Sequence, residues 1–125
     1  MAIVLDASAL LALINQEPGA ERVAGTLGEA QMSAVNLSEV AGKLVDKGID
    51  SQMVDEDLGG IGVSIVGFDR AAALSAARLR RLGRNLSIGD RACLALGVEV
   101  GGTVLTADHD WAVLQVPGVR IVTIR

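Results

Sequence analysis

Short β-branched runs alternate along the chain with longer stretches whose apolar residues recur at helical spacing. The pattern predicts strands at 2–6 (AIVLD), 31–34 (QMSA), 63–67 (VSIVG), 103–106 (TVLT) and 120–124 (RIVTI). These runs are mostly apolar on both faces, as strands buried in a parallel sheet are. Helices are predicted over 8–16, 19–28, 36–47, 50–58, 69–82 and 88–100, with a short one near 109–114. In 36–47, Leu37, Val40, Ala41, Leu44 and Val45 follow the i, i+3, i+4, i+7, i+8 stripe of an amphipathic helix. Pro18 and Gly19 divide the first two helices, and Gly48, Gly83 and Gly101 fall where helix C-caps are wanted. The segment 88–100 is apolar nearly all round, so it should lie between the sheet and other elements, or against a second subunit. Strands alternating with helices define an α/β fold, a parallel sheet covered by helices on both sides. In a sheet ordered 3-2-1-4-5 the first and fourth strands are neighbours at the switch point, where ligands bind outside the carboxyl ends of the strands.

Composition narrows this to one domain spanning 1–125, with no linker, repeat or low-complexity tract. Half the residues are hydrophobic and the aromatics are Phe68 and Trp111 alone, so the core is aliphatic and disorder is excluded. Trp111 reads as a core anchor, Cys93 as a small buried residue and His109 as a surface or supporting residue. A single cysteine cannot form an intramolecular disulfide, which suits a reducing compartment. The opening AIVLD lacks a basic n-region and meets an acid too early for a signal peptide. No apolar run approaches the ~20 residues needed to span a bilayer, so a cytoplasmic protein is expected.

A net charge of −4 is not that of a typical nucleic-acid binder, yet the charge is unevenly spread. Arg78, Arg80, Arg81, Arg84 and Arg91 crowd one stretch, and Asp50, Asp55, Glu56 and Asp57 another. Such a basic stretch can draw phosphates to it, or can be a solvated helix face.

The acids carry the chemistry, and each has a plain structural role beside the functional one. Asp6 ends the first strand before Ala7-Ser8-Ala9-Leu10, at a ligand-binding edge or as a helix cap. Asp108 ends the fourth strand and is an N-cap for the short helix after it, with Asp110 in that helix's first turn. Asp90, in Ser87-Ile88-Gly89-Asp90, reads as half of a capping box, although an acid opening so apolar a helix is aimed back into the fold and wants a cationic partner. Glu39 lies opposite the apolar stripe of its helix, three residues after Asn36, a possible N-cap, and four before Lys43, a possible ion-pair partner. Two like charges ~5 Å apart at an effective dielectric of ~20 repel by roughly 3 kcal/mol. A convergent set would therefore bind a cation or keep a proton. With oxygen donors alone the fitting ions are Mg²⁺ and Mn²⁺; Cys93 and His109 do not make a zinc set.

Asp6 in LDASALLAL, Glu39 in NLSEV, Asp90 in SIGDRACLALG and Asp108 in LTADHDW together resemble the motifs of PIN-domain ribonucleases, and most closely the VapC toxins of bacterial toxin–antitoxin pairs. The resemblance covers nearly the whole chain. It implies a PIN-like three-layer fold, with a five-stranded parallel sheet in the order 3-2-1-4-5 and the acids at its carboxyl edge. It implies that Asp6, Asp90 and Asp108 hold Mg²⁺ or Mn²⁺, with Glu39 bound directly or through water, and that Ser8 and Thr106 support the site. It further implies an endoribonuclease acting through metal-activated water, a VapB-like antitoxin partner and a homodimer. Few aromatics leave little for base stacking, so RNA contacts are assigned to the backbone, with Arg80, Arg81 and Arg84 as leading candidates.

Rival enzyme classes fit less well. A haloacid-dehalogenase-type phosphatase needs a D-x-D pair, and Ser8 stands at the second position. A phosphoacceptor receiver needs a lysine near the last strands, and none follows Lys47. A dinucleotide-binding domain needs a Gly-rich turn after the first strand, which Asp6-Ala7-Ser8-Ala9 lacks. The stronger rival is a non-catalytic PIN-like module that binds RNA or protein.

Overall fold

A computed structural model describes residues 2–83 and 85–125. Its elements run β1 (Ile3–Leu5), α1 (Ala7–Ile14), α2 (Ala20–Ala24), β2 (Ala30–Ser33), α3 (Ala34–Asp46), α4 (Ser51–Gly59), β3 (Ser64–Val66), α5 (Arg70–Arg78), α6 (Ile88–Val100), β4 (Thr103–Thr106) and β5 (Arg120–Thr123). Two 3₁₀ turns, Leu79–Leu82 and His109–Val113, follow α5 and β4. The five strands form one sheet in the order β3-β2-β1-β4-β5, and every pairing is parallel. Register sets Ile3 beside Ala30 on one side and Thr103 on the other, so β1 lies at the centre.

Alternation along the strands sends side chains into two cores. Ile3 and Leu5 of β1, Met32 of β2 and Leu105 of β4 join Leu10, Val23, Val40 and Leu44 on the face covered by α1–α4. Val4 and Val104 turn the other way and pack with Cys93, Leu94, Leu96, Trp111 and Val116 beneath α6. Burial is continuous from Ala92 to Gly97, as the all-round apolar pattern of that helix requires. Gly97 lets it come this close, because a Cβ there would stand 2.7 Å from Cγ2 of Val104. No helix of the described residues is long and apolar enough to cross a membrane.

The expected strands and helices appear in the expected order, with departures that have local causes. The second helix stops at Ala24 rather than 28: Gly25 caps it, and the Thr26 hydroxyl bonds back to the Val23 carbonyl at 2.8 Å. The predicted helix 69–82 tightens into a 3₁₀ turn at Leu79 ahead of Gly83. The third helix starts at Ala34, because Ser33 at the end of β2 caps it by accepting from the Val35 N–H at 3.2 Å. Asn36 is therefore inside the first turn and not the cap. Val45, placed on the apolar stripe, is 48% exposed. Edge strand β3 exposes both Ser64 and Ile65, so it is not buried on both faces as the sequence suggested.

Candidate active site

Parallel order brings the carboxyl ends of β1, β2 and β4 to one edge, where α1, α3 and α6 all begin. Asp6 is the residue between β1 and α1, only 5% exposed, and it caps α1 by accepting from the Ala9 N–H at 2.8 Å. The same oxygen, Oδ1, accepts from the Ser8 hydroxyl at 2.7 Å. Its other oxygen, Oδ2, accepts from the Thr106 hydroxyl at 2.5 Å across the β1–β4 junction. Each hydroxyl in turn accepts from backbone, Ser8 from the Ala107 N–H at 2.9 Å and Thr106 from the Asp108 N–H at 3.0 Å. Each hydroxyl has one proton, and both protons point at Asp6, so the 3.3 Å approach of the two oxygens is a contact rather than a third bond. Ser8 and Thr106 thus support Asp6 directly.

Burial pushes the Asp6 carboxyl above the ordinary aspartate value; the bonds from Thr106, Ser8 and Ala9 pull it back, and the nearby Asp90 charge adds to the rise. A second buried group reports the same field. Burial pushes the Cys93 thiol well above its ordinary value, and the charges of Asp6, Asp90 and Glu39 push it further. The three charges come from different elements: Asp6 at the start of α1, Asp90 in the first turn of α6 and Glu39 within α3.

The capping roles expected for the three aspartates are present, and the one considered for Asn36 with Glu39 is not, because Ser33 caps α3. Ser87 and Asp90 form a capping box, the Asp90 N–H donating to Ser87 Oγ at 3.1 Å and the Ser87 N–H to Asp90 Oδ2 at 3.0 Å. Asp108 is exposed and caps its 3₁₀ turn, its Oδ1 accepting from the Asp110 N–H at 2.9 Å. Asp110 stands in the first turn beyond it. Glu39 is exposed but not idle: its Oε1 accepts from the Asn36 side-chain amide at 2.9 Å. The ion pair considered with Lys43 does not form, and the salt bridge among the described residues joins Arg125 to Glu17. Asp90 likewise has its capping box and no cationic partner among those residues.

Other residues stand apart from the acids. Arg80 and Arg81 are exposed on the 3₁₀ turn after α5, where Arg81 Nε bonds the Arg78 carbonyl at 3.1 Å. Arg91 leaves the basic stretch: it is half-buried and donates to the Ala76 carbonyl at 3.3 Å. Arg84 lies outside the described residues. His109 is on the surface, with Nε2 at 2.6 Å from the Arg125 carbonyl, and Trp111 is buried at 2% exposure.

Two residues gain importance that the sequence reading did not give them. Asn36, 1% exposed, donates to Glu39 and also to the Gly89 carbonyl at 3.0 Å, tying α3 to the start of α6. Gly89 leaves room for the Glu39 carboxylate, which a Cβ would overlap, its carbon standing 2.6 Å away. The i, i+3 spacing of Asn36 and Glu39 is the signal in the sequence, and it fits a capping box equally well.

A family model for the PIN domain matches residues 3–116. The chain belongs to the PIN-domain family. No curated protein matches it. Among solved structures, a toxin–antitoxin complex from Klebsiella pneumoniae resembles this PIN domain at a TM-score of 0.78 and 20% identity, over 99% of this chain and 98% of the other. DNA-bound VapBC from Salmonella typhimurium gives 0.72 and 19%, over 100% and 99%. VapBC2 from Rickettsia felis, bound to a DNA fragment from its promoter, gives 0.72 and 14%, over 98% of each. At these identities the likeness is one of fold.

The donor set suits a hard divalent cation. The acids offer carboxylate oxygens without a cationic partner among the described residues, and the buried Asn36 Oδ1 has no hydrogen-bond partner. Among the same residues, no three His, Cys, Asp or Glu side chains stand together in a metal-binding arrangement.

Proposed function

We propose that this PIN domain is a Mg²⁺- or Mn²⁺-dependent endoribonuclease, the toxin of a VapBC-like toxin–antitoxin pair. The observation that carries the reading is Asp6, all but buried at the carboxyl edge of the sheet and held by Ser8 and Thr106, with Asp90 and Asp108 at the same edge and no lysine or arginine paired to any of the three among the described residues. A buried carboxylate without a cationic partner favours a proton or a bound cation. In the proposed site Asp6, Asp90 and Asp108 are the cation ligands, with Glu39 bound directly or through water. When bound, the ion supplies acidification of a water and neutralises charge on the leaving oxygen of the phosphodiester. The protein's part is positional. Ser8 and Thr106 aim Asp6 and favour its ionised form, and exposed Asp108 stands at the solvent side of the same edge. Arg80 and Arg81 are the proposed contacts to the RNA backbone.

The partner in this reading is a VapB-like antitoxin, supported by the VapBC complexes whose chains share the fold. A homodimer is part of it as well, supported by the exposed apolar residues Leu74 on α5 and Val98 on α6. A second reading, a PIN module that binds RNA or protein without cleaving, is favoured by the capping roles that already occupy Asp6, Asp90 and Asp108. One experiment separates them. The purified chain, free of partners, is incubated with cellular RNA in Mg²⁺, in Mn²⁺ and in EDTA, beside Asp6→Asn. Cleavage that needs the metal and fails in Asp6→Asn supports the nuclease; metal-independent cleavage or an active Asp6→Asn rejects it. Absence of any cleavage favours the binding module.

A further inference from the structure

Glu39 presents a physical problem that its neighbours resolve. It projects from the exposed side of α3, where a glutamate ordinarily samples many rotamers in water. Here it is held. Asn36, one turn earlier and almost wholly buried, spends both amide protons at once, one on Glu39 Oε1 at 2.9 Å and one on the Gly89 carbonyl at 3.0 Å. Two acceptors face that end of the amide, so the end must be the NH₂ and not the carbonyl. On the far side the Glu39 carboxylate lies against Gly89, in space that any other residue's Cβ would occupy. Gly89 sits in the first turn of α6 with an ordinary φ, so no backbone strain demands glycine there. What a side chain there would displace is the Glu39 carboxylate.

We infer that Asn36 and Gly89 are positioning residues that together form a cradle for Glu39, fixing it against the start of α6 beside Asp90. Asn36 holds the carboxylate from one side, and the missing side chain of Gly89 admits it from the other. The pair converts a surface glutamate into a fixed member of the acid group. The inference rests on the reading of the acids as a cation site.

The test is a Mn²⁺ titration followed by electron paramagnetic resonance of the free ion, on the wild-type chain and on Asn36→Leu, Gly89→Ala, Glu39→Gln and the Asn36→Leu/Glu39→Gln double variant. Asn36→Leu keeps the branched shape and removes the donors without adding a carboxylate that could itself bind the ion. Loss of a supporting hydrogen bond behind a ligand typically weakens metal binding 10–100-fold, so about a tenfold rise in Kd is expected for Asn36→Leu and for Gly89→Ala. If both act through Glu39, the double variant binds no worse than Glu39→Gln alone, to within about twofold. In the metal-free protein, Glu39→Gln should also shift the Asn36 side-chain amide protons in the NMR spectrum. Should Asn36→Leu fail to fold, Asn36→Ser takes its place in the same cycle. A wild-type Kd retained in Asn36→Leu, or penalties that multiply in the double variant, overturns the cradle while leaving the cation site standing. A wild-type chain that binds no Mn²⁺ overturns both.

Discussion

The Thr106 hydroxyl, at the end of β4, donates to Asp6 Oδ2 at 2.5 Å, at the end of the neighbouring strand. It is the strongest of the bonds that oppose the effect of burial on Asp6. Thr106→Val keeps the shape of the side chain and removes this donor. Burial then acts with less opposition, and the Asp6 carboxyl titrates at a still higher pH. Proton and cation compete for Asp6, so the pH below which Mn²⁺ binding is lost should move higher in Thr106→Val and return in Thr106→Ser. An unmoved pH dependence, with only a uniform loss of affinity, would show that Thr106 does not set the ionisation of Asp6.

The same burial makes Asp6 a cost to the empty protein. A carboxyl whose folded value lies above its unfolded one binds its proton more tightly in the native state. Its contribution is fully present below the unfolded value and is lost as pH rises through the folded value, so at neutral pH the ionised group destabilises the fold. Asp6→Asn removes the charge and keeps the shape; its oxygen can still accept from Ser8 and Ala9, and the Thr106 hydroxyl must turn to accept from the new amide. In EDTA it should raise Tm at pH 7, and differences in Tm are readily measured in a domain of this size. The gain should shrink toward zero as pH falls below the unfolded aspartate range. A variant equally or less stable than wild type at pH 7 would contradict the account of Asp6 as a strained, functional acid.

Gly97 tests the packing that brings α6, and Asp90 with it, onto the sheet. A methyl group there meets Val104 Cγ2 at 2.7 Å, and both γ carbons of Val119 at 3.4 Å. Val104 is wholly buried at the centre of the second core, so it cannot swing into solvent. Gly97→Ala should therefore destabilise by about 1–3 kcal/mol, the usual cost of overpacking a filled core. Buried Trp111, the chain's sole tryptophan, reports the urea transition by fluorescence. Adding Val104→Ala makes room for the methyl group, so the double variant should be more stable than the sum of the two single losses. Simple additivity would mean that helix and sheet are not in the tight contact described.

Most of the architecture was legible because parallel α/β chains announce themselves through period. Five apolar runs separated by helical spacing indicated a parallel sheet covered by helices; the resemblance to PIN domains supplied its 3-2-1-4-5 order, which makes Asp6 and Asp108 neighbours at the ends of adjacent strands. The caps were legible for the same reason, since Ser87 and Asp90 are a local pattern. What escaped was whatever depended on a partner distant in sequence. Asn36 was read as a cap because its own segment offered nothing else for it to do; its second acceptor, Gly89, is 53 residues away. Gly89 drew no attention because its need is set by Glu39 and not by its own backbone. Arg91 was counted with the basic stretch, although tertiary packing turns it to the end of α5. The exposure of β3 was hidden because edge strands and central strands share the same apolar pattern.

The remaining arginines can be tested by salt. Arg80 and Arg81 are both exposed on the turn after α5, and neither forms a salt bridge among the described residues, so both charges are free to meet phosphates. Each phosphate neutralised releases counterions, which makes log K fall with log salt by about 0.7 per contact on a single strand. Arg80→Glu/Arg81→Glu, measured on single-stranded RNA in the Asp6→Asn background so that nothing is cleaved, should bind more weakly. Its salt slope should be shallower by about 1.4 if both side chains contact phosphate. Arg120, exposed at the start of β5 on the opposite edge of the sheet from the acids, supplies the control. Arg120→Glu lowers the net charge but removes no proposed contact, so its slope should stay close to that of the parent. Equal slopes for Arg80→Glu/Arg81→Glu and the parent would mean that RNA lies elsewhere on the surface, and that the arginines after α5 form a solvated face.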